Sequence, residues 1–197
     1  MKKKLVFLLL ALFIIGLCSA AFFINSKRTS DIIETYAEEI VTDEQYFKIT
    51  KTGLQQYNYY IYDVNGNTVE KQIGITNLSD IKLLNDNVVD ININWGTGLA
   101  EHRYYSVYRN SFSEKYMYVV AYSNEKVAYL DGSLDNRRLI VENAFDKNEY
   151  YNEYNLEFSA LVQPVIDAAF INDCTQLQIT YFSDKNDTEC TDILDLY

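Results

Sequence analysis

"VVDININWGTGLAEHRYYSVYR", residues 88–109, is the stretch whose reading decides the fold. Apolar and polar residues alternate on both sides of Gly96-Thr97-Gly98, which predicts a strand, a Gly-rich turn and a second strand. The same stretch holds the only Trp (Trp95), the only His (His102) and two of the seven Gly. A phosphate cradle would need a longer Gly-rich pattern opening onto a helix whose N–H groups face the anion. Here the residues after Gly98 favour a strand, so a hairpin explains the glycines.

The pattern continues outward in both directions. From Glu44 onward, runs of Tyr, Val, Ile, Phe and Thr are separated by Asn, Asp, Gly and Ser, the pattern of strands and turns. Strands are expected at 44–51, 57–64, 67–75, 80–84, 88–95, 101–109, 116–123, 126–131, 137–145, 152–159, 165–171, 176–183 and 189–195. In "YYIYDVNGNTVEKQ", Asn65-Gly66 predicts a two-residue type I′ turn. Connections are short, so successive strands should pair antiparallel. The single Pro, Pro164, precedes a strand, where a missing N–H does least harm. "IKLLNDNVVDIN" from Ile81 and "IDAAFINDCTQLQIT" from Ile166 share an order of strand, Asn-Asp turn and strand. The expected fold is therefore mainly β: an antiparallel meander, arranged as a sandwich or as partial propeller-like sheets.

Two segments precede it. Lys2, Lys3 and Lys4 stand before an uncharged apolar run from Leu5 to Ile24, an export signal. Its 20 residues match the ~20 needed to cross a bilayer. We read residues 1–24 as an uncleaved anchor, with cleavage after Ala20 or Ala21 as the alternative and lipid attachment at Cys18 as a third fate. Basic residues before the run and acidic residues after it place the N-terminus inside the cell. Residues 25–43 are expected to carry a short amphipathic helix: Ser30 is a good N-cap, and Ile32, Ile33, Tyr36, Ala37, Ile40 and Val41 follow helical spacing. Residues 44–197 form one β-rich extracytoplasmic domain, because no linker or low-complexity run divides them.

Charge narrows the partners. Of the 17 Lys and Arg, three precede the apolar run, leaving 14 basic against 28 acidic residues and a net charge of −14. Such a surface repels nucleic acid and anionic lipid. Beyond Cys18 only Cys174 and Cys190 remain. A turn at 184–187 sets Ser183 opposite Thr188 and Cys190 opposite Tyr181, so Cys174 falls seven positions further along. At ~3.3 Å per residue that is about 23 Å, too far for the ~7 Å Cα separation of a disulfide.

No catalytic set emerges. On a strand, Glu101 and Arg103 face away from His102, so a partner for that imidazole must come from another strand. No Ser sits in G-x-S-x-G, and neither Cys has a nucleophile's local signature. One His and two Cys do not make a structural zinc centre, and no other cofactor is expected. Asp63, Asn65 and Asn67 match calcium-loop positions, but Thr68 stands where Gly is required and Gly74 where a bidentate Glu is required. Asp131, Asp135, Glu142 and Asp146 are as good as any other acids for a glycosidase pair, so none is nominated. The tyrosines are the marked feature, 18 of them beside ten Phe. One face of the second strand would carry His102, Tyr104, Ser106 and Tyr108, and that face suits an exposed aromatic platform.

The succession "YYIYDVNGN", "NWGTGLAEHRYYSVYR", "FSEKYMYVVAYSNEKVAYLDG", "LIVENAFDKNEYY" and "VIDAAFINDCTQLQITY" resembles a group of uncharacterised, signal-bearing, β-rich proteins of Gram-positive gut bacteria. The resemblance spans roughly Tyr57 to Leu196. It implies an exported β domain and supplies no activity or site residue. The expectation is an extracytoplasmic, non-enzymatic interaction module contacting another envelope or secreted protein. The alternatives are a cell-wall glycan reader using Trp95, His102, Tyr104 and Tyr108, and a secreted hydrolase.

Overall fold

A computed structural model describes residues 38–85, 87–96, 98–184 and 188–196. The apolar run and most of the expected amphipathic helix lie outside these residues. The described part contains no helix and is built of antiparallel sheets.

Its strands form four consecutive meanders. The first sheet holds β1 (Glu39–Asp43), β2 (Phe47–Lys51), β3 (Tyr57–Tyr62) and β4 (Thr68–Ile75). The second holds β5 (Leu78–Asn85), β6 (Val88–Gly96), β7 (Leu99–Ser106) and β8 (Ser111–Met117). The third holds β9 (Val119–Ser123), β10 (Lys126–Asp131), β11 (Arg138–Asn143) and β12 (Tyr151–Tyr154). The fourth holds β13 (Val165–Ile171), β14 (Gln176–Ser183) and β15 (Thr188–Asp195). The two segments sharing an Asn-Asp turn are the β5–β6 and β13–β14 hairpins, each the opening pair of its sheet.

Adjacent residues in the central strands face opposite ways, and both faces are buried. Val89, Ile91 and Tyr105 pack with Phe47, Ile49, Tyr59 and Ile61 of the first sheet. Their chain neighbours Val88 and Tyr104 pack with Val127 of the third. Ala128, next to Val127, turns the other way with Leu130, Leu139 and Val141 to meet Leu177 and Ile179 of the fourth. The second and third sheets are therefore covered on both sides. Period-2 geometry accounts for this directly, since doublets such as Val88-Val89 and Tyr104-Tyr105 supply one apolar side chain to each face.

Several expectations need correction. Glu39–Asp43, expected to end the amphipathic helix, is strand β1, paired with β2 in register Glu39↔Lys51. Ile40 and Val41 fit a helical face and a strand equally, and the pairing with β2 decides between them. The single strand expected over 116–123 is two strands in different sheets, broken at Tyr118 with φ 53°. A non-Gly residue there is uncommon, and periodicity does not report it. Asn65-Gly66 is not a two-residue type I′ loop. The Gly66 N–H donates to the Asp63 carbonyl at 3.0 Å, and only Gly66, at φ 78°, is left-handed. This is a type I turn closed by a Gly bulge. The Asp63 carboxylate accepts from both Asn65 and Asn67 N–H groups, so the acid that matched a calcium loop serves the turn.

Other expectations hold. Gly96 and Gly98 both take positive φ, at 86° and 76°, and Gly96 pairs with Leu99. The last hairpin has the expected register, Ser183↔Thr188 and Tyr181↔Cys190. Cys174 lies in the β13–β14 turn with its thiol 3.2 Å from the Ser123 hydroxyl, and both it and Cys190 are free thiols.

One turn permits a direct test. Gly132, after β10, has φ 100°, and a Cβ there would sit 2.3 Å from the backbone oxygen of Asn136. Gly132→Ala is expected to cost about 2–3 kcal/mol through strain and the backbone clash. Urea unfolding of the variant checks this, and a change below ~0.5 kcal/mol would contradict it.

Candidate functional site

Of the four residues nominated from the sequence only two lie together, the His102 and Tyr104 rings, 6.2 Å apart between centroids. Tyr104 is 1% exposed, packed against Tyr122 at 4.3 Å and Tyr116 at 6.1 Å between ring centroids. Burial, followed by the charge of Asp90, raises its phenol pKa above the ordinary value. β7 ends at Ser106, so Tyr108 falls in the next turn, 88% exposed. The expected aromatic platform is thus absent: one tyrosine is core and the other a lone turn residue. The alternation itself holds through Ser106, but the face carrying Tyr104 is covered by the third sheet.

His102 does find its partner on another strand. Its Nδ1–H donates to the Asp90 carboxylate at 2.9 and 3.2 Å, and Asp90 is 3% exposed. A carboxylate only accepts, so Nδ1 carries a proton and Nε2 is the ring nitrogen left to meet another group. The Asn92 amide nitrogen lies 3.4 Å from that Nε2. Asp90, Asn92 and His102 share a face because β6 and β7 pair Asn92 with His102 and Asp90 with Tyr104. An acid inside "VVDININ" is the sequence signal that could have found this pair.

His102 borders a cavity of about 310 Å³ where the second, third and fourth sheets converge. Ala100 and His102 come from β7, Val119 and Val120 from β9, Leu130 from β10, Val162 to Pro164 from the connection into β13, and Val165 to Ala168 from β13 itself. Two side chains hold that connection. Arg137, 7% exposed, donates to the carbonyls of Leu161 and Val162 at 2.7 and 3.0 Å. Gln163 Nε2 donates to the Gly98 carbonyl at 2.8 Å. Leu161, Val162 and Ile166 leave about half of their surface exposed, at 50, 48 and 48%. The cavity offers the His102 ring, the Gln163 amide and the Asp167 carboxylate among apolar side chains. No Ser, Thr or Cys is among its described lining residues.

Trp95 borders a different cleft, of about 240 Å³, between the first and second sheets. Glu101 and Arg103, on the face opposite His102, line it with Glu70 and Lys115. Arg103 pairs with Glu70 at 2.6 Å, and Lys115 with Glu101 at 2.8 Å. The Tyr59 hydroxyl donates to Glu70 at 2.7 Å, and burial first, then that bond, raises the Tyr59 pKa. Sequence reasoning saw Glu101 and Arg103 as the far face of the strand but not the strands that would meet them. Among the described residues no cluster of three or more His, Cys, Asp or Glu is placed to hold a metal ion.

No protein-family model matches the chain, and no curated protein is significantly similar to it.

Proposed function

We propose that the chain is an extracytoplasmic interaction module, anchored through residues 5–24 with its N-terminus inside the cell, or secreted after cleavage near Ala20 or Ala21. Its stacked meanders are a partial propeller-like arrangement, and its partner is another envelope or secreted protein. The observation that carries this reading is the pair of half-exposed apolar side chains, Val162 and Ile166, that border the His102 cavity. Exposed apolar side chains beside a preformed pocket suit an anchor side chain of a partner. In this reading the anchor's apolar body fills the cavity and a polar group at its tip meets His102 Nε2. The net negative charge disfavours nucleic acid as the partner. A hydrolytic reading would use the same His–Asp pair, but the exposed apolar side chains beside the cavity favour binding.

A photo-crosslinking residue at position 162, in the full chain produced in its own membrane, tests this. The expected result is one discrete adduct that disappears when Ile166→Arg is added and is not formed from position 108. An adduct pattern identical at 162 and 108, or indifferent to Ile166→Arg, would sink the proposal.

A further inference from the structure

We propose that the cleft between the first and second sheets binds a neutral saccharide, with Trp95 as its stacking surface. This goes beyond the protein-docking reading and uses a separate face of the second sheet.

The physical case begins with the tryptophan. Trp95 is 56% exposed although it is among the largest apolar side chains in the domain. It stands at the end of β6, beside the Gly96–Gly98 turn, and borders the cleft together with Ile91 and Ile93 of the same strand. An indole face with aliphatic neighbours suits the C–H face of a pyranose ring.

The polar lining selects the chemistry. Its charged groups are two cations and two anions, and each is already paired: Arg103 with Glu70, Lys115 with Glu101. An anionic ligand would have to displace a carboxylate from its cation, and a cationic one would have to displace the cation. A neutral ligand keeps both pairs. Hydroxyls donate and accept, as these carboxylates, ammonium and guanidinium groups require in combination. Gln72 and Asn77 add two side-chain amides, neither of which has an internal hydrogen-bond partner among the described residues. The amide is the group that reads paired sugar hydroxyls, since it offers both a donor and an acceptor.

The site is also held in advance of binding. The Arg103 guanidinium lies 4.2 Å from the centroid of the Phe112 ring, and Glu70 is fixed from two sides by Arg103 and the Tyr59 hydroxyl. Groups ordered before binding lose little freedom on contact, and that lowers the cost of association.

Because Trp95 is the only tryptophan, its emission reports this cleft alone. The experiment titrates the purified full chain, in a detergent without a sugar headgroup, with maltotetraose, chitotetraose and the acidic tetragalacturonate. The expected result is a saturable emission shift with at least one neutral tetrasaccharide and none with the acidic one. By calorimetry, Trp95→Ala should weaken that binding about tenfold or more. Gln72→Ala and Asn77→Ala should each weaken it about threefold to tenfold. Both amides and the indole are exposed or half-exposed, so these variants should fold. No response to either neutral sugar, equal binding of the acidic one, or binding that survives Trp95→Ala would overturn the proposal. Crosslinking from position 162 is independent of every one of these outcomes.

Discussion

Glu142→Ala lowers the unfolding free energy by about 3–5 kcal/mol, the largest loss expected from any single carboxylate of this domain. Glu142 is fully buried on β11. The Tyr116 hydroxyl, from β8 of the second sheet, donates to it at 2.9 Å, and the Tyr129 hydroxyl of β10 donates at 3.3 Å. Lys147 lies 3.4 Å away with its side chain 46% exposed. Truncation leaves the Tyr129 hydroxyl without this acceptor and opens a void between the second and third sheets. Tyr116 is partly compensated, because it also reaches the Ala144 carbonyl at 3.2 Å. Lys147 regains water. Glu142→Gln keeps the volume and one acceptor oxygen, so its cost should be smaller, about 1–2 kcal/mol. Urea unfolding of the two variants beside the parent chain measures both. Equal losses would mean that the carboxylate itself, rather than the volume it fills, holds the sheets together.

The second large effect is alkaline unfolding. Tyr59, Tyr104, Tyr116 and Tyr181 are all buried, and burial is the leading cause that raises each phenol from its ordinary 10.0, Tyr181 to about 12. Hydrogen bonds donated to Glu70, Glu142 and Asp192 hold the protons of Tyr59, Tyr116 and Tyr181 further. The sign follows from proton counts. Above pH ~10 the unfolded chain has lost phenolic protons that the fold still retains, so stability falls as pH rises. It is fully present below the unfolded pKa and is lost through the window leading up to the folded values. Each retained proton removes about 1.4 kcal/mol per pH unit, so the four together remove about 5. A domain of ordinary stability, about 5–15 kcal/mol, should therefore unfold between about pH 11 and 13. The share of tyrosinate absorbance that belongs to these four should appear together with the change in far-ultraviolet circular dichroism, in one cooperative step. Ionisation of all 18 tyrosines near pH ~10 with the circular dichroism unchanged would refute the buried set.

Much of the fold was legible because a strand's period is short. Alternation located β6, β7 and the turn between them, and turn residues set the register of the last hairpin. Legibility failed where a local pattern serves two structures. Ile40 and Val41 suit a helix face or a strand, and pairing with β2 chose the strand. Tyr118 is unremarkable in sequence, yet its left-handed backbone ends one sheet and begins the next. The candidate site was legible only as residue types. His102 and Trp95 stood out by rarity, whereas Asp90 passed unnoticed within an apolar run.

By itself the sequence determined a mainly β chain of acidic composition, most of the strand positions to within a few residues, and the two faces of β7. These properties follow from composition and from the period of 2, which need no knowledge of distant neighbours. Only the tertiary structure decided what meets each face. The third sheet buries Tyr104, the first sheet frames Trp95 with Arg103 and Glu101, and three sheets converge on His102. Contacts between sheets join residues far apart in the chain, and no local pattern encodes which apolar face will stack on which.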